Sequence, residues 1–112
     1  MKPIQSFNLT DDEGLPAGGV HVSPGCTIAW QNGPLGRGED RQAPNGAFVE
    51  NVIQAALERI EWYQTVSDGR FACPENALVI THLQEALSAL NARTRRREVA
   101  DIEGTHAEEC DE

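Results

Sequence analysis

Apolar positions follow two different rules along the chain. From Phe48 to about Val66 they stand at 49, 52, 53, 56, 57, 60 and 63. Steps of three and four line one face of a helix. Glu50, Gln54, Glu58 and Glu61 fall mostly on the opposite face, and Arg59 and Trp62 lie near the seam. Asn45 is the expected N-cap, and Ser67-Asp68-Gly69 the expected stop, with Gly69 suited to the left-handed position past a helix end. The connector Arg70-Phe71-Ala72-Cys73 is short. Pro74 then opens a second helix, reaching to about Glu98, because the first turn has no use for its missing N–H. Glu75 sits near the positive end of that helix dipole. The stripe continues as Ile80, Leu83, Leu87 and Leu90. Two long helices joined by so short a turn must run antiparallel, as an αα-hairpin.

Before Phe48 the helical period is absent. Thr27-Ile28-Ala29-Trp30-Gln31 is β-branched and aromatic and is closed by Asn32-Gly33, a turn dipeptide. Pro34 follows at once, which favours a turn into a loop over a two-residue hairpin. Ile4 to Leu9 and Val20-His21-Val22 are shorter β-competent pieces, edge strands or a flexible arm. Asp11-Asp12-Glu13-Gly14 and Pro16-Ala17-Gly18-Gly19 read as turns or loops, and Leu35 to Pro44 as a surface loop. The expected fold is therefore α+β: a small N-terminal antiparallel β segment, then a long antiparallel αα-hairpin. A chain of 112 residues makes one domain. Its parts are a β-rich or loop segment over 1–45, the hairpin over 46–106 and an acidic mobile tail over 107–112.

The second helix carries a further feature. Extending its stripe in register brings in Asn76 before Ile80, and Thr94 and Arg97 after Leu90. A core stripe that turns polar at both ends is either fraying toward solvent or lining a ligand pocket near a subunit junction. Charge sharpens the question. The net charge is −9, with nine basic residues, and four of those, Arg93, Arg95, Arg96 and Arg97, lie within five positions. Arg93 and Arg97 share a face, flanked by Arg96. Arginine at all four positions suits planar, bidentate recognition of phosphate or carboxylate. A solvated helix end, neutralised by the acidic tail, accounts for the same residues.

The acidic balance argues against general nucleic-acid or anionic-membrane binding. No run of 18 apolar residues exists, and Met1 to Ser6 has no hydrophobic region of signal length, so the cytoplasm is expected. Only 5% of the residues are aromatic, and a core that small favours burial against further copies. Cys26, Cys73 and Cys110 are odd in number and far apart, which fits free thiols better than a disulfide framework or a metal site. His21, His82 and His106 include no pair at metal-binding spacing. Cys73 with His82 and Thr105 with His106 are the nucleophile and base pairs that can be written, and neither has a nucleophile signature. Gly33 to Gly38 lacks the Lys-Ser/Thr of a phosphate loop. Asp11-Asp12-Glu13 is a solvated acidic turn before it is a cation site. No cofactor is implied, and nothing argues positively for an enzyme. Phe71 with Arg70 on the connector could stack on a base or plug the end of the helix pair. Trp30, Trp62 and Tyr63 admit the same two readings.

Several segments in order resemble a known family. They are Arg59-Ile60-Glu61-Trp62-Tyr63-Gln64, Phe71-Ala72-Cys73-Pro74-Glu75-Asn76-Ala77, His82-Leu83-Gln84-Glu85-Ala86-Leu87, Arg93-Thr94-Arg95-Arg96-Arg97-Glu98 and Glu103-Gly104-Thr105-His106. Together they resemble the helical hairpin of phage anti-CBASS and anti-Thoeris proteins, over about residues 47–106. The resemblance implies a non-catalytic sponge that sequesters the cyclic nucleotide messengers of bacterial immunity in the infected host's cytoplasm. Those messengers are cyclic di- and trinucleotides and cyclic ADP-ribose isomers. It also implies homo-oligomers, commonly hexamers built from dimers, with pockets between subunits. The N-terminal segment around Trp30 is closer to the anti-Thoeris branch, where a small antiparallel sheet precedes the hairpin. By the same resemblance Phe71 stacks on an adenine, Asn76 bonds a base or ribose, Arg93 and Arg97 hold phosphates and Thr94 assists. Gly104, Thr105 and His106, with Glu103, close or support a pocket. The run Val99-Ala100-Asp101-Ile102 departs from the family by inserting an acid, which weakens a polyanion site. Two other readings remain: a small oligomeric protein-binding or structural module with no nucleotide ligand, and a hydrolase using His82 or His106.

Overall fold

The protein is described by a computed structural model covering residues 4–36 and 38–99, with side chains of the last helix described to position 96. Three strands, β1 (Gln5–Thr10), β2 (Pro16–Ser23) and β3 (Cys26–Trp30), precede two helices, α1 (Val49–Gly69) and α2 (Pro74–Val99). The chain divides into two compact units, one built on the sheet and reaching Phe48, the other spanning Val49–Arg95. Each is taken by itself.

The sheet has the order β1-β2-β3, antiparallel throughout. Asp11 makes the first turn: its Oδ1 accepts from Glu13 N at 2.8 Å and Leu15 N at 3.0 Å, an Asx turn of the sort Asp favours. The second turn is Pro24-Gly25, with Gly25 at φ +77, a conformation that favours glycine. The expected loop at Pro16–Gly19 is instead the start of β2. Its glycines serve the sheet. A Cβ on Gly19 would lie 2.3 Å from the carbonyl oxygen of Phe7, and pairing shifts between Asn8 and Thr10, a bulge beside that close approach. Phe7 pairs with Val20 and Val20 with Ala29, so these share one face with Val22, while Ser6, His21 and Ile28 form a row on the other.

Asn45 does not cap α1. Its side chain stitches the loop back onto the end of β3: Oδ1 accepts from Asn32 N at 2.8 Å and Nδ2 donates to Asn32 O at 3.1 Å. Gln31 Oε1 accepts from Asn45 N at 2.9 Å. Ala47 then bridges in parallel to Trp30, with N–H···O bonds of 2.8 and 2.9 Å. Gly46 makes this possible, since a Cβ there would lie 2.5 Å from Trp30 O.

The helices follow the predicted stripe closely. Leu57 is buried; Val52, Ile53, Ile60 and Tyr63 of α1 and Ile80, Leu83, Leu87 and Leu90 of α2 are half-buried. Val49 and Ala56, expected on the apolar face of α1, are exposed. Regular helix stops before Val66, whose ψ of 145° is extended, and Ser67 and Asp68 both take left-handed φ near +57°. Asp tolerates that region better than most residues. The interior is thin. Ile4, Phe7, Leu9, Trp62, Phe71 and Leu78 are between 47% and 69% exposed, more apolar surface than the chain covers with its own residues.

Candidate functional site

The predicted site residues of the hairpin fall at its two ends. At the turn end, Gln64 near the finish of α1 grips the backbone before α2. Its Oε1 accepts from Cys73 N at 3.0 Å and its Nε2 donates to Cys73 O at 3.4 Å. Asn76 Nδ2 donates to Phe71 O at 3.3 Å. These bonds, with Ala72 N donating to Gly69 O at 3.1 Å, tie down the connector backbone around Phe71. Its ring is 55% exposed. A residue this exposed does not plug the end of a single hairpin. Asn76 contributes to holding Phe71, a task the sequence did not reveal, and keeps its amide oxygen for another donor.

At the open end, Arg93 and Thr94 are half-buried on the stripe of α2. Arg93 Nη2 lies 3.9 Å from Glu50 Oε2 in the first turn of α1. Its Nε is buried without a hydrogen-bond partner. A guanidinium carries five donors. This one is held by a long ionic contact and retains unused donor capacity. Glu50 was assigned to the polar face with no role. The signal that finds it is the hairpin itself: Phe71 and Ala72 stand midway between Glu50 and Arg93 in sequence, so the antiparallel turn brings the pair together. Arg95 and Arg96 are exposed. Arg97 lies in the helical backbone of α2 with its side chain outside the described residues, as are Gly104, Thr105, His106 and the tail.

The two ends do not meet. From Asn76 to Arg93 an α-helix rises about 25 Å. Phe71 and Asn76 of one chain therefore cannot touch the same small ligand as Arg93 and Thr94 of that chain.

Other candidates have local explanations. Arg59 stacks its guanidinium 4.6 Å above Trp62 and 5.0 Å from Tyr63, rings themselves 5.4 Å apart, a cation–π cluster on α1. His21 lies between two hydroxyls, with Ser6 Oγ 3.1 Å from Nδ1 and Ser23 Oγ 2.9 Å from Nε2. His82 is exposed, 3.5 Å from Glu85. Among the described residues no group of three or more His, Cys, Asp or Glu is placed to hold a metal, and no helix is long and apolar enough to cross a membrane.

A small antiparallel sheet followed by a helical hairpin with arginine at its open end defines the class. The chain belongs to the Acb2/Tad1 family: the Acb2/Tad1 hairpin domain matches residues 24–95. Among its relatives is Thoeris anti-defense 1 of Bacillus phage SBSphiJ7, 39% identical over 81 residues, covering 72% of this chain. The chain spans about half of that relative, 52% of its length.

Proposed function

We propose that this is a phage anti-defence protein that binds and sequesters cyclic nucleotide immune messengers without cleaving them. Family membership supports the anti-defence role, and the name of the phage relative points to Thoeris. The observation that carries the ligand reading is Arg93: a guanidinium on a 41% exposed side chain, held by an ionic contact as long as 3.9 Å, on a stripe that should otherwise be apolar. A phosphate supplies the acceptor oxygens such a fork lacks. Phe71, exposed on a connector whose backbone is tied to Asn76, supplies a face for a base.

Because Asn76 and Arg93 stand about 25 Å apart along one helix, a pocket using both ends takes Phe71 and Asn76 from one copy and Arg93 and Thr94 from another. The ligand is a cyclic di- or trinucleotide or a cyclic ADP-ribose isomer, and the assembly is a homo-oligomer, a hexamer or dimer, in the cytoplasm of the infected host. A thermal-shift screen across those three ligand classes tests the reading. A rise in Tm with at least one class is expected; no shift with any class favours a protein-binding module instead.

A further inference from the structure

Resting on the anion-site reading above, we infer that Glu50 is the resident counter-anion of Arg93 and sets the affinity threshold of the site. The geometry separates holding from binding. At 3.9 Å the Glu50 carboxylate is beyond the ~2.7–2.9 Å of a charge-assisted hydrogen bond. It steadies the guanidinium electrostatically but does not form the two-pronged clamp that arginine makes with a carboxylate in direct contact. Arg93 Nε is buried without a partner, but the side chain as a whole is 41% exposed, which leaves its terminal Nη groups as the donors an acceptor can reach. A phosphate oxygen that takes the Nη donors arrives beside the Glu50 carboxylate, and like charges at that separation repel. Glu50 sits in the first turn of α1 and is only 28% exposed, so solvent screens it incompletely. Any ligand whose phosphate occupies Arg93 must overcome that repulsion.

The consequence is counter-intuitive for a residue that ion-pairs with the binding group: neutralising it strengthens binding. The full-length chain and its Glu50→Gln, Arg93→Ala, double and Glu61→Gln variants are titrated calorimetrically with cyclic di-AMP, cyclic tri-AMP and cyclic ADP-ribose. Glu50→Gln is expected to tighten the bound probe about three- to tenfold, the scale of one nearby charge at a partly exposed site. Glu61→Gln, on the exposed face of α1, is expected to change nothing, and Glu50→Gln is expected to have no effect once Arg93 is Ala. If Glu50→Gln weakens binding or leaves it unchanged while Arg93→Ala weakens it, the counter-anion role is overturned with the anion site intact. A gain that persists in the Arg93→Ala background, or is matched by Glu61→Gln, overturns it equally, as a general charge effect. Unchanged affinity in Arg93→Ala, or no binding of any probe by either the unsubstituted chain or Glu50→Gln, overturns the anion site and this inference with it.

Discussion

Arg93 and Glu50 close the open end of the helical hairpin with a contact of 3.9 Å between residues 41% and 28% exposed. At that exposure the pair contributes little to stability, about 0.2–1 kcal/mol. Arg93→Ala is therefore expected to lower Tm by only a few degrees. The same substitution is expected to weaken binding of a phosphate-bearing ligand by about 1.5–3 kcal/mol. Thermal melts beside ligand titrations separate the two quantities. A large loss of Tm with unchanged affinity would make Arg93 a structural residue.

Phe71 makes the complementary case at the other end. Its ring is 55% exposed, so Phe71→Ala is expected to leave stability within about 0.5 kcal/mol. Loss of stacking is expected to weaken binding by about 1–3 kcal/mol, and Phe71→Trp to retain most of it. Urea melts and affinity measurements on the two variants check this.

Separation of the two ends gives a test by mixing. If each pocket draws Phe71 from one copy and Arg93 from another, Phe71→Ala and Arg93→Ala proteins are each defective alone. Unfolded and refolded together in equal amounts, they are expected to regain about one quarter of the intact pockets. Recovery of binding stoichiometry is the readout, and no recovery would place the ligand at one end of a single hairpin.

Gln64 and Gly46 are where the fold depends on single residues. Gln64→Leu removes two hydrogen bonds to the Cys73 backbone and leaves that N–H unpaired at a half-buried position. The expected cost is about 1–3 kcal/mol in urea unfolding, with weakened binding following from a loosened connector. Gly46→Ala forces a Cβ to within 2.5 Å of Trp30 O. It is expected to destabilise the sheet unit by about 1–3 kcal/mol, seen as an earlier change in tryptophan fluorescence.

These cases also show what could be read from the chain. The hairpin was legible because Ile80, Leu83, Leu87 and Leu90 repeat at helical steps and Pro74 marks a start, which local chemistry alone decides. β3 was legible from its β-branched and aromatic run. Pro16–Gly19 was not, because glycines that signal a turn also permit the close approach of β1 and β2, and only the sheet distinguishes the two. Asn45 was misplaced for a similar reason: a side chain able to cap a helix can bind a distant backbone instead, here Asn32. Of the candidate site, Phe71 and Arg93 stand out in the chain by residue type and position. The Glu50 contact was hidden because it exists only once the turn brings α1 beside α2.

The central claim is sequestration without chemistry. The most direct measurement incubates purified protein with cyclic di-AMP, cyclic tri-AMP and cyclic ADP-ribose isomers, removes the protein by filtration, and assays the filtrate before and after heat denaturation of the retained fraction. The account predicts that one messenger class disappears from the filtrate and returns chemically unaltered on heating. A messenger recovered as linear or hydrolysed product, or none retained at all, would contradict it.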